Sequence, residues 1–467
     1  MADQDAPAAG ARPHQRDLTT GPIGKTLLAF AIPTLGSSIV QSLNASINSI
    51  WVGRLLGEEA LAATANANMV WFVLIAFTFG FSMATSILIG QAWGRRDVEG
   101  ARRVLGTAVT FFFGVGILVL IAGELAAPDL LRLLGTPGEA LPLAATYLRT
   151  FLLGTPAAVV LVALSMALRG SGDSVTPLYF MLLAAALDVV LNPLLIAGIG
   201  PFPALGIAGA GYATAIANWV ALTGLILFAY ARRLPLTLGG RDLRFLVPDR
   251  GQLGTIMGKG LPMGLQMIVI SVSSLAMIGL VNAQGVETAA AYGVTMQLWA
   301  YVQMPAMAFG AAVSAMAAQN IGAGRWDRVD RITRIAIIQV TVITAALIGL
   351  FILFEKPALG LFLGMDSPAL PIAIRIQWIA TWSFLMFGLV LVLFGTVRAA
   401  GAVVAPLLIL AVGLIPVRLG FAGGAQGWLG SDAIWWSFPV GTIVNLVLAW
   451  LYYRSGRWRK AKMAPTT

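Results

Sequence analysis

The chain has 467 residues, is 58% hydrophobic and only 11% charged, carries a formal charge of +10 and contains no cysteine. A soluble domain is about a quarter charged, so a soluble enzyme is excluded, and the missing thiols rule out disulfides and thiolate chemistry. Apolar runs of about eighteen residues or more recur throughout, continuous rather than alternating, which selects a polytopic α-helical membrane protein over a closed β-barrel.

Residues 1–22, polar and holding the single His14, read as a disordered cytoplasmic tail. His14 has no partner there for a metal, and no cleavable signal peptide is visible. Twelve spans follow, at 25–53, 60–92, 104–126, 140–168, 175–199, 207–231, 256–283, 289–318, 334–354, 371–396, 403–421 and 433–453. In the first, SLNASINSI (42–50) sets Asn44 and Asn48 four apart on one helix face. The fifth holds AAALDVVLNPLLIAG (184–198), where Asp188 is the only charged side chain between Asp173 and Arg232. Of the 20 acidic residues, it alone lies deep in a span. A charged Asp near the bilayer centre costs at least ~2.5–3.5 kcal/mol. Protonation, a bound cation or a polar cavity relieves that cost. Asn192 lies one turn on, and Pro193 cannot donate to Val189, so one face offers a carboxylate, an amide oxygen and an unpaired carbonyl. Such hard oxygen ligands suit a proton or a small cation. The sixth span adds Thr214.

A polar stretch then separates an N-lobe, 23–235, from a C-lobe, 256–455, through a cytoplasmic linker at 236–255, and a basic tail closes the chain at 456–467. Gln266 and Ser271 lie in the seventh span. The eighth, AAAYGVTMQLWAYVQMPAMAFG (289–310), has no acid and spreads Tyr292, Met296, Gln297 and Trp299 over several faces. These residues, with Asn44 and Gln266, read equally as a lining for amphipathic compounds and as ordinary helix packing.

The two halves repeat. GEEALAA (57–63) answers GVETAAA (285–291), and at the same offset Trp71 meets Trp299, Phe81 meets Phe309 and Ser86 meets Ser314. LRGSGDSVTP (168–177) answers VRAAGAVVAP (397–406), and Asn218 answers Asn445. Two six-span bundles in parallel repeat point to a secondary transporter. Of the 30 basic residues, all but Arg54, Arg132, Arg149, Lys356, Arg375 and Arg418 fall on the side bearing both termini, which the positive-inside rule makes cytoplasmic. Arg54, Arg132, Lys356 and Arg418 read as belonging to the opposite side, with Arg149 and Arg375 near span ends. The basic excess is thus a topology signal rather than a nucleic-acid patch. No GxxxxGK[ST] motif is present, so phosphate-driven pumping has no local machinery.

FAIPTLGSSIVQSLNASINSIWVGRLLGEEALAA (30–63), LRGSGDSVTP, LDVVLNPLLI, GIAGAGYATAIAN (206–218), GLPMGLQ (260–266) and SAMAAQNIGAG (314–324) together resemble the multidrug and toxic compound extrusion (MATE) transporters, in order from about residue 20 to 455. The resemblance implies an all-α polytopic membrane protein, with twelve transmembrane helices in two pseudo-symmetric six-helix bundles forming a V-shaped central cleft. It implies export of lipophilic, cationic drugs in exchange for H⁺ or Na⁺ across the cytoplasmic membrane, with no other cofactor, no enzymatic activity and a monomeric state. Carried over by position, the family's cation site falls on Asp188, Asn48, Asn192 and Thr214. The chain departs from the pattern twice. Asn48 stands where an Asp is usual, and the fifth-span order is Asp188 then Asn192 rather than the reverse. One carboxylate remains where two are expected, which favours H⁺ over Na⁺. The rival within the wider superfamily is a lipid-linked oligosaccharide or polysaccharide flippase, which needs clustered intramembrane Lys or Arg. A membrane-embedded enzyme would need paired acids.

Overall fold

Long apolar sequence with few helix breakers folds into long helices, because hydrocarbon leaves the backbone no partner but itself. In the computed structural model, which describes residues 16–463 with the side chain of Asn66 set aside, the helices of the first half are α1 (Ile23–Leu56), α2 (Glu58–Gly94), α3 (Val98–Leu133), α4 (Leu141–Leu152), α5 (Thr155–Gly170), α6 (Val175–Ala197) and α7 (Ile207–Ala231). A 3₁₀ segment at Gly240–Leu246 follows. The second half has α8 (Arg250–Asn282), α9 (Val286–Gly322), α10 (Trp326–Leu353), α11 (Glu355–Leu363), α12 (Ala369–Ala380) and α13 (Ser383–Ala399). It ends with α14 (Val404–Val412), a π-turn at Gly413–Val417, α15 (Arg418–Gly424), α16 (Gln426–Leu429) and α17 (Asp432–Arg454). Ten stretches, counting α14 through α15 (Val404–Gly424) as one, are long and apolar enough to cross a bilayer, and α4 with α5 (bent by 50°) and α12 with α13 (bent by 45°) make twelve if each pair is one span.

The helices outrun the predicted spans at their charged ends. Hydropathy detects only the apolar stretch, whereas the helix continues until a cap stops it. Thus α3 begins at Val98 because the Asp97 side chain accepts from Gly100 N at 2.7 Å. The same distinction affects Arg418, read as belonging to the opposite side although it falls within the predicted span 403–421. The π-turn keeps the chain helical through Pro416, so Arg418 opens a further helix and is 9% exposed.

The chain packs as two units: residues 36–261 form one, and Leu18–Leu35 with the chain from Pro262 onward form the other. The expected N-lobe limits of 23–235 therefore shift. The first turns of α1 pack with the second unit, and the first turns of α8 with the first. Each division falls near a repeat-related proline inside its helix, Pro33 in α1 and Pro262 in α8, where a backbone donor is missing.

The linker is not a free tether. Arg102 donates to the Pro235 carbonyl and the Asp242 carboxylate, both at 2.8 Å. Thr110 Oγ1 donates to Leu246 O at 2.6 Å, and Phe245 is buried, so this segment lies along α3. The tail expected to be disordered through residue 22 is also fastened from Leu18 on, while His14 lies outside the described residues. Leu18 is wholly buried. Its N–H donates to Gln319 Oε1 at 3.2 Å, its carbonyl accepts from Asn320 Nδ2 at 3.0 Å, and Arg325 and Arg328 donate to the carbonyls of Thr19, Thr20 and Gly21. At the other end Trp458 is fully buried, stacks on Tyr453 at 5.3 Å, and is followed by Arg459 paired with Asp330 at 2.7 Å. Substituting Ala for both Gln319 and Asn320 removes two of the buried bonds on Leu18, and amide hydrogen exchange over residues 18–21 is then expected to accelerate by about tenfold or more. Unchanged protection would show that Arg325 and Arg328 hold the segment alone.

Candidate functional site

Past its first two turns, the α6 sequence VTPLYFMLLAAALDVVLNPLLIA is apolar on every face except for Asp188 and Asn192, one turn apart. The helix runs unbroken through Pro193 and ends at Gly198, whose left-handed backbone (φ 71°) only glycine adopts at no cost. Asp188 is 2% exposed, and three helices converge on it. From α1, Asn44 Nδ2 donates to Oδ2 at 2.8 Å and Asn48 Nδ2 donates to the same oxygen at 2.7 Å. From α7, Thr214 Oγ1 donates to Oδ1 at 2.8 Å. Asn192 Nδ2 donates to Oδ1 at 3.1 Å, to the Asp188 carbonyl at 2.8 Å and to Asn48 Oδ1 at 2.5 Å. Behind Thr214, Asn218 Nδ2 donates to its carbonyl at 3.0 Å.

The four donors saturate both carboxylate oxygens. An ionised carboxylate only accepts, so each amide must turn its NH₂ inward. That leaves Asn44 Oδ1 and Asn192 Oδ1 buried with no hydrogen-bond partner among the described residues. Two orphaned acceptors next to one carboxylate leave room for something with positive charge or a proton. The arrangement can hold a bare cation on oxygen ligands. It can equally take a proton on Asp188, which Asn44 would accept by rotating its amide. Asn44, Asn48, Asn192 and Thr214 line a cavity of about 560 Å³ within the first unit, with Asp188 one layer behind them.

Tyr147 on α4 also lines this cavity, only 6% exposed and within electrostatic reach of Asp188. Sequence reasoning missed it, because nothing in the run LPLAATYLRTFL separates an inward tyrosine from an interfacial one. A second cavity in this unit, about 220 Å³, is walled almost entirely by aliphatic side chains such as Leu105, Val160 and Leu225, and offers an ion nothing to bind.

Thus α1, α6 and α7 bring together Asp188, Asn48, Asn192 and Thr214, and Asn44 joins them rather than a separate lining. The other lining candidates are not on the wall of this cavity. Gln266, 3% exposed, donates to the Pro262 carbonyl at 3.3 Å and to the Val403 carbonyl at 3.5 Å, so it ties α8 to the start of α14. Tyr292 and Trp299 are 3% and 2% exposed and form an aromatic core with Phe438 and Trp435. Met296 packs against that core, and Gln297 is exposed. Of the two expectations left open for Tyr292 and Trp299, burial fits helix packing: they lie in the second unit's interior. Arg149 and Arg375 turn outward, within ion-pair distance of Glu124 (3.6 Å) and against Asp432 respectively.

The MatE family model matches residues 33–194 and again 262–422, so the internal repeat is also a repeat of the family unit. A relative named probable multidrug resistance protein YoeA, from Bacillus subtilis, is 35% identical over 443 residues, covering 94% of this chain and 95% of that protein. A second from the same organism, probable multidrug resistance protein YpnP, is 33% identical over 448 residues, covering 96% and 98%. Among solved structures, a crystal structure of a MATE in the straight conformation superposes with a TM-score of 0.86 at 24% identity, covering 94% of this chain and 97% of that one.

Proposed function

Because the chain belongs to the MatE family of multidrug efflux transporters, and is therefore a multi-pass membrane protein, we propose that it is a secondary antiporter which exports lipophilic, cationic solutes in exchange for a small cation bound at Asp188. The observation that carries this reading is the carboxylate enclosed by four donors, with two acceptors left unpartnered at a cavity wall. Asn48, Asn192 and Thr214 complete the ion's surroundings, and the adjoining cavity of about 560 Å³, with Trp71, Phe72 and Tyr147 among its walls, suits an amphipathic solute.

The ion is H⁺ in preference to Na⁺. A single carboxylate supplies one counter-charge, and the amides already point their NH₂ groups at it. A proton needs only one amide to turn, whereas Na⁺ needs several oxygens to replace its water. Ion and solute must stabilise the same two states of the transporter unequally for exchange to be coupled. The distribution of arginines and lysines supports a cytoplasmic-membrane protein with both termini inside. A flippase for acidic lipid-linked sugars finds less support, because the described wall of this cavity carries no Lys or Arg.

Proteoliposomes with an imposed ΔpH or ΔNa⁺ test the proposal: solute exchange must follow one of the two gradients and must depend on Asp188. Asn48→Asp sets a second carboxylate against the first, doubling the counter-charge available to a monovalent cation. It is expected to add or strengthen Na⁺-driven exchange, read as sodium uptake coupled to solute efflux. An unaltered ion preference in that variant would separate α1 from the ion site.

A further inference from the structure

The repeat sets Asn218 against Asn445, and one turn earlier it sets Thr214 against Gly441. Thr214 faces a carboxylate. Gly441 faces the stem of an arginine: a Cβ built on Gly441 would lie 3.1 Å from Arg418 Cβ and 2.8 Å from the Gly413 carbonyl oxygen. Gly441 is nine residues into α17 from Asp432, about 14 Å along the helix, so Arg418 lies well inside the span. It is 9% exposed, and its position follows directly from the π-turn at Gly413–Val417, a helix irregularity that recurs at functional sites.

Among the described residues Arg418 has no ion-pair partner, and its Nε has no hydrogen-bond partner. Asp432, the acid on the facing helix, is taken by Arg375. What Arg418 does have is a face-on contact with Phe438, with Cζ 3.6 Å from the ring centroid. Stacking uses the flat face of the guanidinium and leaves its edge, where the N–H donors are, unused. Phe438 leads to Trp299 at 5.1 Å and Tyr292 at 6.2 Å. Beyond Trp299, Gln377 (1% exposed) accepts from the indole Nε1 at 3.1 Å. An indole only donates, which fixes the amide orientation and leaves Gln377 Nε2 buried and unpartnered. The free acceptor Asn445 Oδ1 lies a turn farther along α17, against Gly413. The aromatic wall is thus flanked by two unsatisfied donors, one of them cationic. The pattern is opposite to that at Asp188, where the unsatisfied atoms are acceptors.

We propose that Arg418, with the wall of Phe438, Trp299 and Tyr292 and the free amide of Gln377, forms an anion-recognition site inside the second unit, for a carboxylate or phosphate group carried on an aromatic or apolar body. The guanidinium edge supplies paired N–H donors in the fork that matches these oxyanions, and Phe438 holds the guanidinium from the side. The shared chemistry can come from a transported solute or from a phospholipid headgroup. The site does not depend on the ion-coupling reading, since its ligand makes no use of Asp188.

The test is binding to purified full-length protein in neutral detergent, comparing wild type with Arg418→Met, which keeps a long apolar side chain against Phe438 and removes the charge. The soluble probes are naphthyl phosphate and its cationic counterpart naphthylmethylammonium; the lipid probe is a short-chain phosphatidylglycerol, with short-chain phosphatidylcholine as control. Wild type is expected to bind at least one anionic probe, and Arg418→Met to bind it at least about tenfold more weakly, with the cationic probe unchanged. The ligand-free variant is expected to melt no lower than wild type, because an unpaired buried charge has been removed. A response to naphthyl phosphate assigns the site to a solute, and a response to phosphatidylglycerol alone assigns it to lipid. The proposal is overturned if wild type binds neither anion or if Arg418→Met binds them equally well. A variant that melts lower and loses anion and cation together would also overturn it, by showing that Arg418 only supports packing.

Discussion

Asp188→Asn is expected to give an inserted, folded protein whose solute exchange no longer follows an imposed gradient. The structure explains why folding survives. Asparagine keeps one acceptor, which can stay where Oδ2 takes the amides of Asn44 (2.8 Å) and Asn48 (2.7 Å). Its new NH₂ falls on the Oδ1 side, where the Thr214 hydroxyl can rotate from donor to acceptor. Asn192 Nδ2 retains the Asp188 carbonyl and Asn48 Oδ1. The charge, however, has no substitute, because the described lining of the cavity contains no other acid. Losing the counter-charge in a poorly hydrated site costs a bound cation several kcal/mol, and each 1.4 kcal/mol is about tenfold in affinity. Gradient-driven exchange in proteoliposomes should therefore fall by about 100-fold or more, while passive solute binding persists. Coupled efflux at the wild-type rate would remove Asp188 from the mechanism.

Gly209→Val is expected to be strongly damaging to the first unit, although the residue bears no chemistry. A Cβ on Gly209 would run into the Leu195 carbonyl and lie 2.8 Å from Ile196 N. The obstacle is backbone, which cannot move aside as a side chain would. The contact joins the start of α7 to the end of α6, the pair of helices that brings Thr214 to Asp188. Overpacking of this kind costs about 1–3 kcal/mol or more, and here it also levers Thr214 away from Oδ1. A lower melting temperature, poorer yield in the membrane and loss of exchange in whatever folds are expected together. Gly114→Ala is the control: nothing lies within 4 Å of its Cβ position, and it should behave as wild type. A Gly209→Val protein with wild-type stability would show that the two helices can separate without consequence.

The spans were legible because bilayer thickness and backbone hydrogen bonding impose long apolar runs that no other constraint overrides. The polar cluster in α1, α6 and α7 was legible for the same reason: in a medium this costly for charge, Asp188 stands out, and helical periodicity pairs it with Asn192 and pairs Asn44 with Asn48. That these two pairs meet across three helices is tertiary information, and only the family resemblance joined Asn48 and Thr214 to Asp188 and Asn192 as one site. Tyr147 stayed hidden because it reaches the cavity through the bend between α4 and α5. Gly154 and Pro156 mark that break, but at the matching break near Thr381 the sequence carries no such signal. The burial of Arg418 was hidden because sequence does not reveal that a π-turn absorbs Pro416 and carries the chain onward as helix. For Tyr292 and Trp299 the local pattern of core and cleft is the same, and burial alone distinguishes them.

The fastening of both chain ends has a practical consequence for spectroscopy. Residues around 20 and around 458 belong to one body, each held by its own buried anchor, so a pair of spin labels there forms a fixed ruler whose length should stay constant through the working cycle. Any drift in that spacing would report local melting rather than transport. Reporters of the cycle itself belong elsewhere, and an affinity handle should be joined ahead of residue 16 or after 463, clear of Leu18 and Trp458.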